Sequence, residues 1–299
     1  MRRAWHELPP ELRAEVERRL GARVEGVRPT AGGFSWGVLG VASLEGGGQV
    51  FVKAVPSDEP VAADYRVETA VAPLLPPSTP TPVLLFSVEA WGWVLLCFEV
   101  VPGRLPHQPW RVAELDAIVA AMARSAAPAG GLPSVADRMA GRCVTWRAIR
   151  RDGAFGEVEL GPWERAHLER LAEVESCWES LVTGTSLLHF DPRFDNYLID
   201  VDGSAWILDW GRACAGPAWV DQVCLLLQSD LGGLDPAELF GRWAAGAEAE
   251  RVDAFLVALA GYWTHTATLA GPPHAPHLRW RRESSRRSTM EWLRQRWGG

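Results

Sequence analysis

Pro102 and Gly103 divide this 299-residue chain into two textures, and that division limits the folds open to it. Before them, short apolar alternations are separated by glycine-bearing turns. "ARVEGVRPTAGGFSWGVLGVASLEGGGQVFVKAV" reads as three strands joined through "PTAGGFSW" and "EGGGQ". "TPVLLFSV" and "WGWVLLCFEVV" read as two more, meeting at a short turn. Short links between consecutive strands favour an antiparallel sheet. Two helices accompany the strands. "PPELRAEVERRL" puts Leu12, Val16 and Leu20 on one stripe, and a second helix runs from Pro60 to Leu75, where Pro76 and Pro77 stop it. After Gly103 the period becomes helical. Trp110 to Ala127 is alanine-rich and periodic, and "APAGGLPSVADRMAGR" is an irregular connection with short helical pieces. Pro162 opens a helix with Leu168, Leu171, Val174, Trp178 and Leu181 at spacings of three or four. "YLIDVDGSAWILDWG" alternates, turns at Asp202 and Gly203 and alternates again, as a hairpin does, and helical patterns resume from Trp219. The expectation is an α+β chain of two lobes: a five-stranded antiparallel sheet lobe over residues 1–101 and a mainly helical lobe over residues 102–299.

Charge and apolar run length exclude several classes. The formal charge is -7, with 37 acidic against 30 basic residues, which argues against a broad nucleic-acid surface and favours cationic ligands. No run approaches the roughly 18 apolar residues of a membrane helix, and the N-terminus lacks the apolar segment of a secretory leader. A cytoplasmic protein without a membrane partner is expected. Cys97, Cys143, Cys177, Cys214 and Cys224 have no ligand-type spacing and read as reduced, mostly buried thiols. His274 and His277 form no metal pattern. The basic segment "LRWRRESSRRSTMEWLRQRW" reads as a solvated terminal helix docked through Trp292 and Trp297, in preference to a nucleic-acid or membrane contact. Nothing in the sequence bears on oligomeric state.

Three groups of residues carry candidate chemistry. Gly32 and Gly33 lie between two strands, where backbone N–H groups can form a concavity for phosphate oxygens, although a plain turn has the same composition. Lys53 sits inside the apolar run "QVFVKAV"; a buried ammonium requires a partner, and Glu68 on the following helix supplies one. The densest group is "LLHFDPRFDNYLID". Asp191 and Asn196 stand five residues apart in a loop, and Asp209 follows at the far end of the hairpin, so the three can converge. An amide oxygen and a carboxylate suit Mg²⁺, a hard ion that keeps waters and binds through phosphates. Asp191 would then orient a hydroxyl and accept its proton. Taken singly, each of these is an ordinary loop residue.

The ordered set of glycine loop, "FVK", helix glutamate, "FEVVPG", "HFDPRFDN", "ILDWG" and "GPAWVDQ" resembles the aminoglycoside phosphotransferase family, within the protein-kinase-like fold, over about Val27 to Leu227. The resemblance implies transfer of the γ-phosphoryl group of ATP or GTP, with Mg²⁺, to a hydroxyl of a small molecule, such as an aminoglycoside or another cationic antibiotic. It implies that Asp191 is the catalytic aspartate, that Asn196 and Asp209 hold the metal, and that Lys53 contacts phosphate with Glu68 as its helix partner. It further implies that Glu99 to Val101 meet the nucleotide base through backbone, that His189 shapes the catalytic loop, and that Asp221 braces it. Phe190 stands where the commonest family form has glycine. Arg193 is a further departure, open to phosphate neutralisation, a pair with Asp195 or a backbone contact. "DWG" lacks the acid often found third. For the acceptor, Asp230, Asp235 and Glu238 could attract an amine or simply open helices, and Tyr262, Trp263 and His265 could line a cleft or pack as core. Two alternatives remain: a protein kinase, against which "HFDPRFDN", "DWG" and the lack of a later "APE" segment argue, and a catalytically quiet nucleotide-binding interaction protein.

Overall fold

A computed structural model describes residues 3–30, 37–228, 230–271 and 277–298. Gly32 and Gly33, and His274, lie outside the described residues. In chain order the elements are α1 (Pro10–Leu20), β1 (Val24–Pro29), β2 (Val38–Leu44), β3 (Gln49–Pro56), α2 (Ala62–Val71), β4 (Leu84–Ala90), β5 (Trp93–Glu99), α3 (Val112–Arg124), α4 (Val135–Arg138), α5 (Thr145–Asp152), α6 (Pro162–Leu181), β6 (Ser186–Leu188), β7 (Tyr197–Ile199), β8 (Ala205–Ile207), β9 (Cys214–Gly216), α7 (Trp219–Leu227), α8 (Pro236–Trp243), α9 (Ala249–Thr268) and α10 (His277–Trp297). They form two compact units. One comprises Met1–His107, Val112–Ser125 and Phe194–Ala213; the other comprises Gln108–Arg111, Ala126–Arg193 and Cys214–Gly299.

The first unit is built on a five-stranded sheet of order β1-β2-β3-β5-β4, antiparallel at every pairing. Strand alternation decides what each face buries. Trp93, Leu95 and Cys97 of β5 join Val50, Val52 and Ala54 of β3 on one face, where Leu12 and Val16 of α1 cover them. Val94, Leu96 and Phe98 point to the opposite face and pack with Val55 and with Ala62 and Tyr65 of α2. Lys53 has the parity of Val55, so its side chain projects toward α2. The β7–β8 hairpin belongs to this unit and pairs Tyr197 with Ile207 and Ile199 with Ala205. It is tied to the segment after β5 by two backbone bonds, Arg104 N–H to the Ile199 carbonyl (3.0 Å) and Ile199 N–H to the Arg104 carbonyl (2.7 Å). Gly103 makes that approach feasible. It has φ 132°, and a Cβ there would lie 3.0 Å from Leu198 Cβ.

The second unit is mainly helical. Buried Glu175 of α6 accepts the backbone N–H groups of Trp146 (3.3 Å) and Arg147 (2.9 Å), capping the start of α5. Trp146 donates its indole N–H to the Val257 carbonyl of α9 (2.9 Å). Gly261 of α9 is fixed by this joint, since a Cβ there would come within 2.7 Å of Glu175 and 2.9 Å of Trp146. The terminal helix docks as its tryptophans suggest. Trp292 is buried and meets Phe240 edge-on at 5.5 Å, while Trp297 donates to Asp253 at 3.0 Å. Asp235 caps α8 by accepting the Ala237 N–H (2.8 Å), the ordinary helix-start role weighed for it. Two features have no counterpart in the sequence reading: α5 itself, and the pairing of β6 with β9, which sets Leu188 opposite Cys214. The architecture is the bilobal, protein-kinase-like α+β fold expected. Among the described residues, no helix is long and apolar enough to cross a membrane.

Candidate active site

In the first unit, β3, α2 and the turn after β8 bring three predicted residues together. Lys53 Nζ pairs with the Glu68 carboxylate and lies 3.0 Å from Asp209 Oδ1. The rings of Tyr65 and Phe98 flank the ammonium, with centroids 4.9 Å and 5.4 Å from Nζ. Both Lys53 and Glu68 are buried, whereas the Asp209 side chain keeps 41% of its surface exposed. Burial alone would lower the lysine pKa, but the Asp209 and Glu68 charges overcome it and raise the pKa above the ordinary lysine value. Glu68 moves up as well, to about 7, through burial first and with the Asp209 charge adding to it; Lys53 and a hydrogen bond from the Trp210 backbone N–H oppose the shift. Two carboxylates thus share one ammonium, and the cluster holds a surplus of negative charge.

Asn196 is buried in a single helical turn just ahead of β7, and Asp209 follows β8, so both occupy one end of the hairpin. The Leu208 N–H donates to the Asn196 carbonyl (2.8 Å), closing that end. Asp209 adopts a left-handed backbone conformation, φ 64°, which aspartate tolerates better than most residues. Its carboxylate and the Asn196 amide are hard oxygen donors. Among the described residues, no group of three or more His, Cys, Asp or Glu side chains is arranged to hold a metal. A Mg²⁺–nucleotide complex does not require one, because phosphates and waters complete its shell. At the end of β5, Glu99 is committed by its side chain: Oε1 accepts the Val83 N–H at 3.0 Å, while the Glu99 N–H donates to the Val83 carbonyl at 3.0 Å. Val101 lies two residues beyond the strand, half-buried.

In the second unit, the loop after β6 carries His189, Asp191 and Arg193. Buried Asp221, in the first turn of α7, accepts the backbone N–H of His189 at 2.7 Å and of Phe190 at 2.8 Å. Its pKa is raised by burial, against the His189 charge and these two bonds. Phe190 has φ 59°. The backbone there is left-handed, a conformation that costs a non-glycine residue about 1–2 kcal/mol. Here the Asp221 carboxylate holds it in place. Arg193 pairs with Asp191, Nη1 to Oδ2 3.3 Å, and its N–H donates to the Asp191 carbonyl at 2.7 Å. Asp191 is thus a carboxylate partner of Arg193, one that the sequence alone did not suggest.

Residues 33–259, well over half of the chain, match the sequence model of the phosphotransferase enzyme family, APH. The chain belongs to this family. No curated protein matches it in sequence. Solved structures do match it in fold. An aminoglycoside phosphotransferase from Alicyclobacillus acidocaldarius superimposes with a TM-score of 0.58 at 17% identity, covering 96% of each chain. The GDP and kanamycin complex of APH(2″)-IIia gives 0.58 at 14% identity, covering 97% of this chain and 99% of that one. Spectinomycin phosphotransferase APH(9)-Ia, in complex with ADP and spectinomycin, gives 0.56 at 11% identity, covering 97% and 94%. At such identities the likeness establishes the fold.

Proposed function

We propose that this protein transfers the γ-phosphoryl group of ATP or GTP to a hydroxyl of a small molecule. The observation that carries the reading is the Lys53–Glu68–Asp209 cluster, a buried ammonium shared between two carboxylates within a phosphotransferase family member. An isolated structural ion pair would not need the third, half-exposed carboxylate. Its surplus negative charge and the hard oxygens of Asp209 and Asn196 fit Mg²⁺. Asn196 and Asp209 would hold Mg²⁺, whose charge would help neutralise the phosphates.

The chain's own residues divide the remaining work. Lys53 would meet phosphate oxygens, with Glu68 holding its ammonium in place, and Gly32 and Gly33 are assigned to the phosphate loop on sequence alone. The backbone from Glu99 to Val101 would meet the base edge. Asp191 would orient the acceptor hydroxyl and take its proton on a carboxylate oxygen as the oxygen–phosphorus bond forms. The bond from the γ-phosphorus to the bridging oxygen breaks, and the nucleoside diphosphate leaves. Arg193 would hold one Asp191 oxygen, and Asp221 would fix the loop backbone at His189 and Phe190. On this reading, residues 1–101 are the nucleotide-binding lobe and residues 102–299 the catalytic and acceptor-binding lobe, which also supplies Asn196 and Asp209 for the metal. Most of the rate comes from positioning and charge stabilisation.

Several of the similar structures hold an antibiotic, among them the kanamycin and spectinomycin complexes. Together with the chain's net negative charge, this favours an amine-bearing acceptor, an aminoglycoside or another cationic antibiotic included. A cytoplasmic setting fits the five free cysteines, four of them buried. The test is nucleoside diphosphate release from ATP or GTP with Mg²⁺, measured with and without candidate hydroxyl compounds. Acceptor-dependent release supports transfer; release indifferent to every acceptor, with phosphate appearing in proteins, would replace the reading with a protein kinase.

A further inference from the structure

The third position of "DWG" raises a question that the phosphotransfer reading leaves unanswered. Gly211 lies against α2: a Cβ at Gly211 would sit 2.9 Å from the Asp64 carbonyl oxygen and 2.9 Å from the Asp64 Cβ. Any side chain there would push the helix away, so an acid at this position is excluded by backbone approach. The flanking residues fasten the same helix. On one side, the Trp210 N–H bonds to Glu68. On the other, Arg212 Nη2 pairs with Asp64 Oδ2 at 3.1 Å. Asp64 and Glu68 are four residues apart and therefore share one face of α2. Three consecutive residues after Asp209 thus hold two consecutive turns of the helix that carries the lysine's partner.

We propose that Asp64 and Arg212 are positioning residues whose ion pair keeps α2 seated on the turn after Asp209, and thereby keeps Lys53 shared between Glu68 and Asp209. The inference rests on the functional reading above. Its physical content is a competition for one ammonium. With α2 seated, Glu68 takes part of the Lys53 charge and leaves the Asp209 carboxylate accessible. With α2 displaced, Lys53 loses Glu68 and its full charge falls on Asp209, the carboxylate assigned to the metal. A magnesium–nucleotide complex therefore favours the seated state, and any residue that stabilises that state tightens its binding by the corresponding population shift. The pair is partly solvated, with side-chain exposures of 48% for Arg212 and 23% for Asp64. Its effect is set by the small energy of such a pair, about 2- to 5-fold in affinity.

The experiment is calorimetric titration of Mg²⁺–ADP and Mg²⁺–GDP into the full chain. The proteins compared are wild type, Arg212→Ala, Asp64→Ala, Arg212→Lys, Arg212→Asp and the exchanged pair Asp64→Arg/Arg212→Asp, with amide exchange followed over residues 209–213. Each alanine variant should weaken binding about 2- to 5-fold. Arg212→Lys should retain most of the affinity, and the exchanged pair should recover what Arg212→Asp alone loses. The Trp210 amide should exchange faster in the alanine variants. A role in stability alone would lower the unfolding midpoint without moving affinity or gaining rescue from the exchanged pair, and that outcome overturns the proposal. Should an alanine variant fail to fold, Arg212→Lys and the exchanged pair carry the same comparison. Wild type that binds neither diphosphate would overturn the functional reading and the latch together. Wild type that binds, with every variant matching it, would overturn the latch alone.

Discussion

Replacing Asp221 by alanine tests how the loop that carries Asp191 is held. The carboxylate is buried and accepts the N–H groups of His189 and Phe190, at 2.7 Å and 2.8 Å. Alanine leaves the buried His189 N–H and the half-buried Phe190 N–H without this acceptor. Each orphaned buried N–H costs about 1–3 kcal/mol, so the pair accounts for about 2–6 kcal/mol. The loss is offset because a buried charge is also removed, a charge whose burial already pushes the Asp221 pKa upward. The expected destabilisation is therefore in the lower part of the range, about 2–4 kcal/mol, a large share of the roughly 5–15 kcal/mol of a typical domain. Asp221→Asn keeps one acceptor oxygen but turns an NH₂ group toward the other donor, and should fall between wild type and alanine. Urea unfolding followed by tryptophan fluorescence measures both. Freed from its two bonds, Phe190 can relax from its left-handed conformation and carry Asp191 with it, so kcat should fall about 10- to 100-fold at temperatures where the variant is folded. A loss of stability below about 0.5 kcal/mol would refute the brace.

Asp191→Asn should lower kcat by about 100-fold or more with nucleotide binding retained, because it removes the group assigned to the hydroxyl proton; near-normal turnover at saturating nucleotide would reject that role. Asp209→Ala and Asn196→Ala should each weaken the magnesium dependence of nucleotide binding, checked by magnesium titration of each folded variant; unchanged metal affinity in both would reject the metal site. Glu175 gives a pH prediction. Burial raises its pKa above the ordinary value of 4.5, opposed by the Arg147 and Trp146 N–H groups and the Arg147 charge. Because the folded pKa is the higher one, its contribution is fully present below the unfolded value and is lost as pH rises through the folded value. Glu175→Gln should remove that dependence, so the gap in unfolding free energy between variant and wild type should change as pH rises above the ordinary carboxylate range; a constant gap would contradict it.

The sequence is legible where local pattern and chemistry coincide. Lys53 is conspicuous because an ammonium interrupts an apolar alternation, and the strand parity that buries Val55 also aims Lys53 at the helix bearing Glu68. The β7–β8 hairpin is legible because Asp202 and Gly203 turn two alternating runs back on each other, which brings Asn196 and Asp209 to one end. The Asp64–Arg212 pair is not legible, since nothing local links two exposed-looking charges nearly 150 residues apart. Its only trace is the i, i+4 spacing of Asp64 and Glu68 and the arginine directly after "DWG". Arg193 shows the same limit: beside phosphate, Asp195 and backbone, the fold adds the carboxylate of Asp191, two residues before it. The β6–β9 pairing escaped because three-residue strands have no readable period. Phe190 is visible as a departure from glycine, but its positive φ belongs to the backbone.

We propose that the protein phosphorylates a small hydroxyl compound and that Asp191 takes the hydroxyl proton. Mass spectrometry tests it most directly. The protein is incubated with ATP or GTP and Mg²⁺ against a broad panel of metabolites and antibiotics, amine-bearing and neutral, beside the Asp191→Asn variant. The account predicts a gain of about 80 daltons on at least one small hydroxyl compound, an amine-bearing one by preference, present with wild type and absent with the variant. A gain confined to proteins, or one that Asp191→Asn leaves intact, would contradict it.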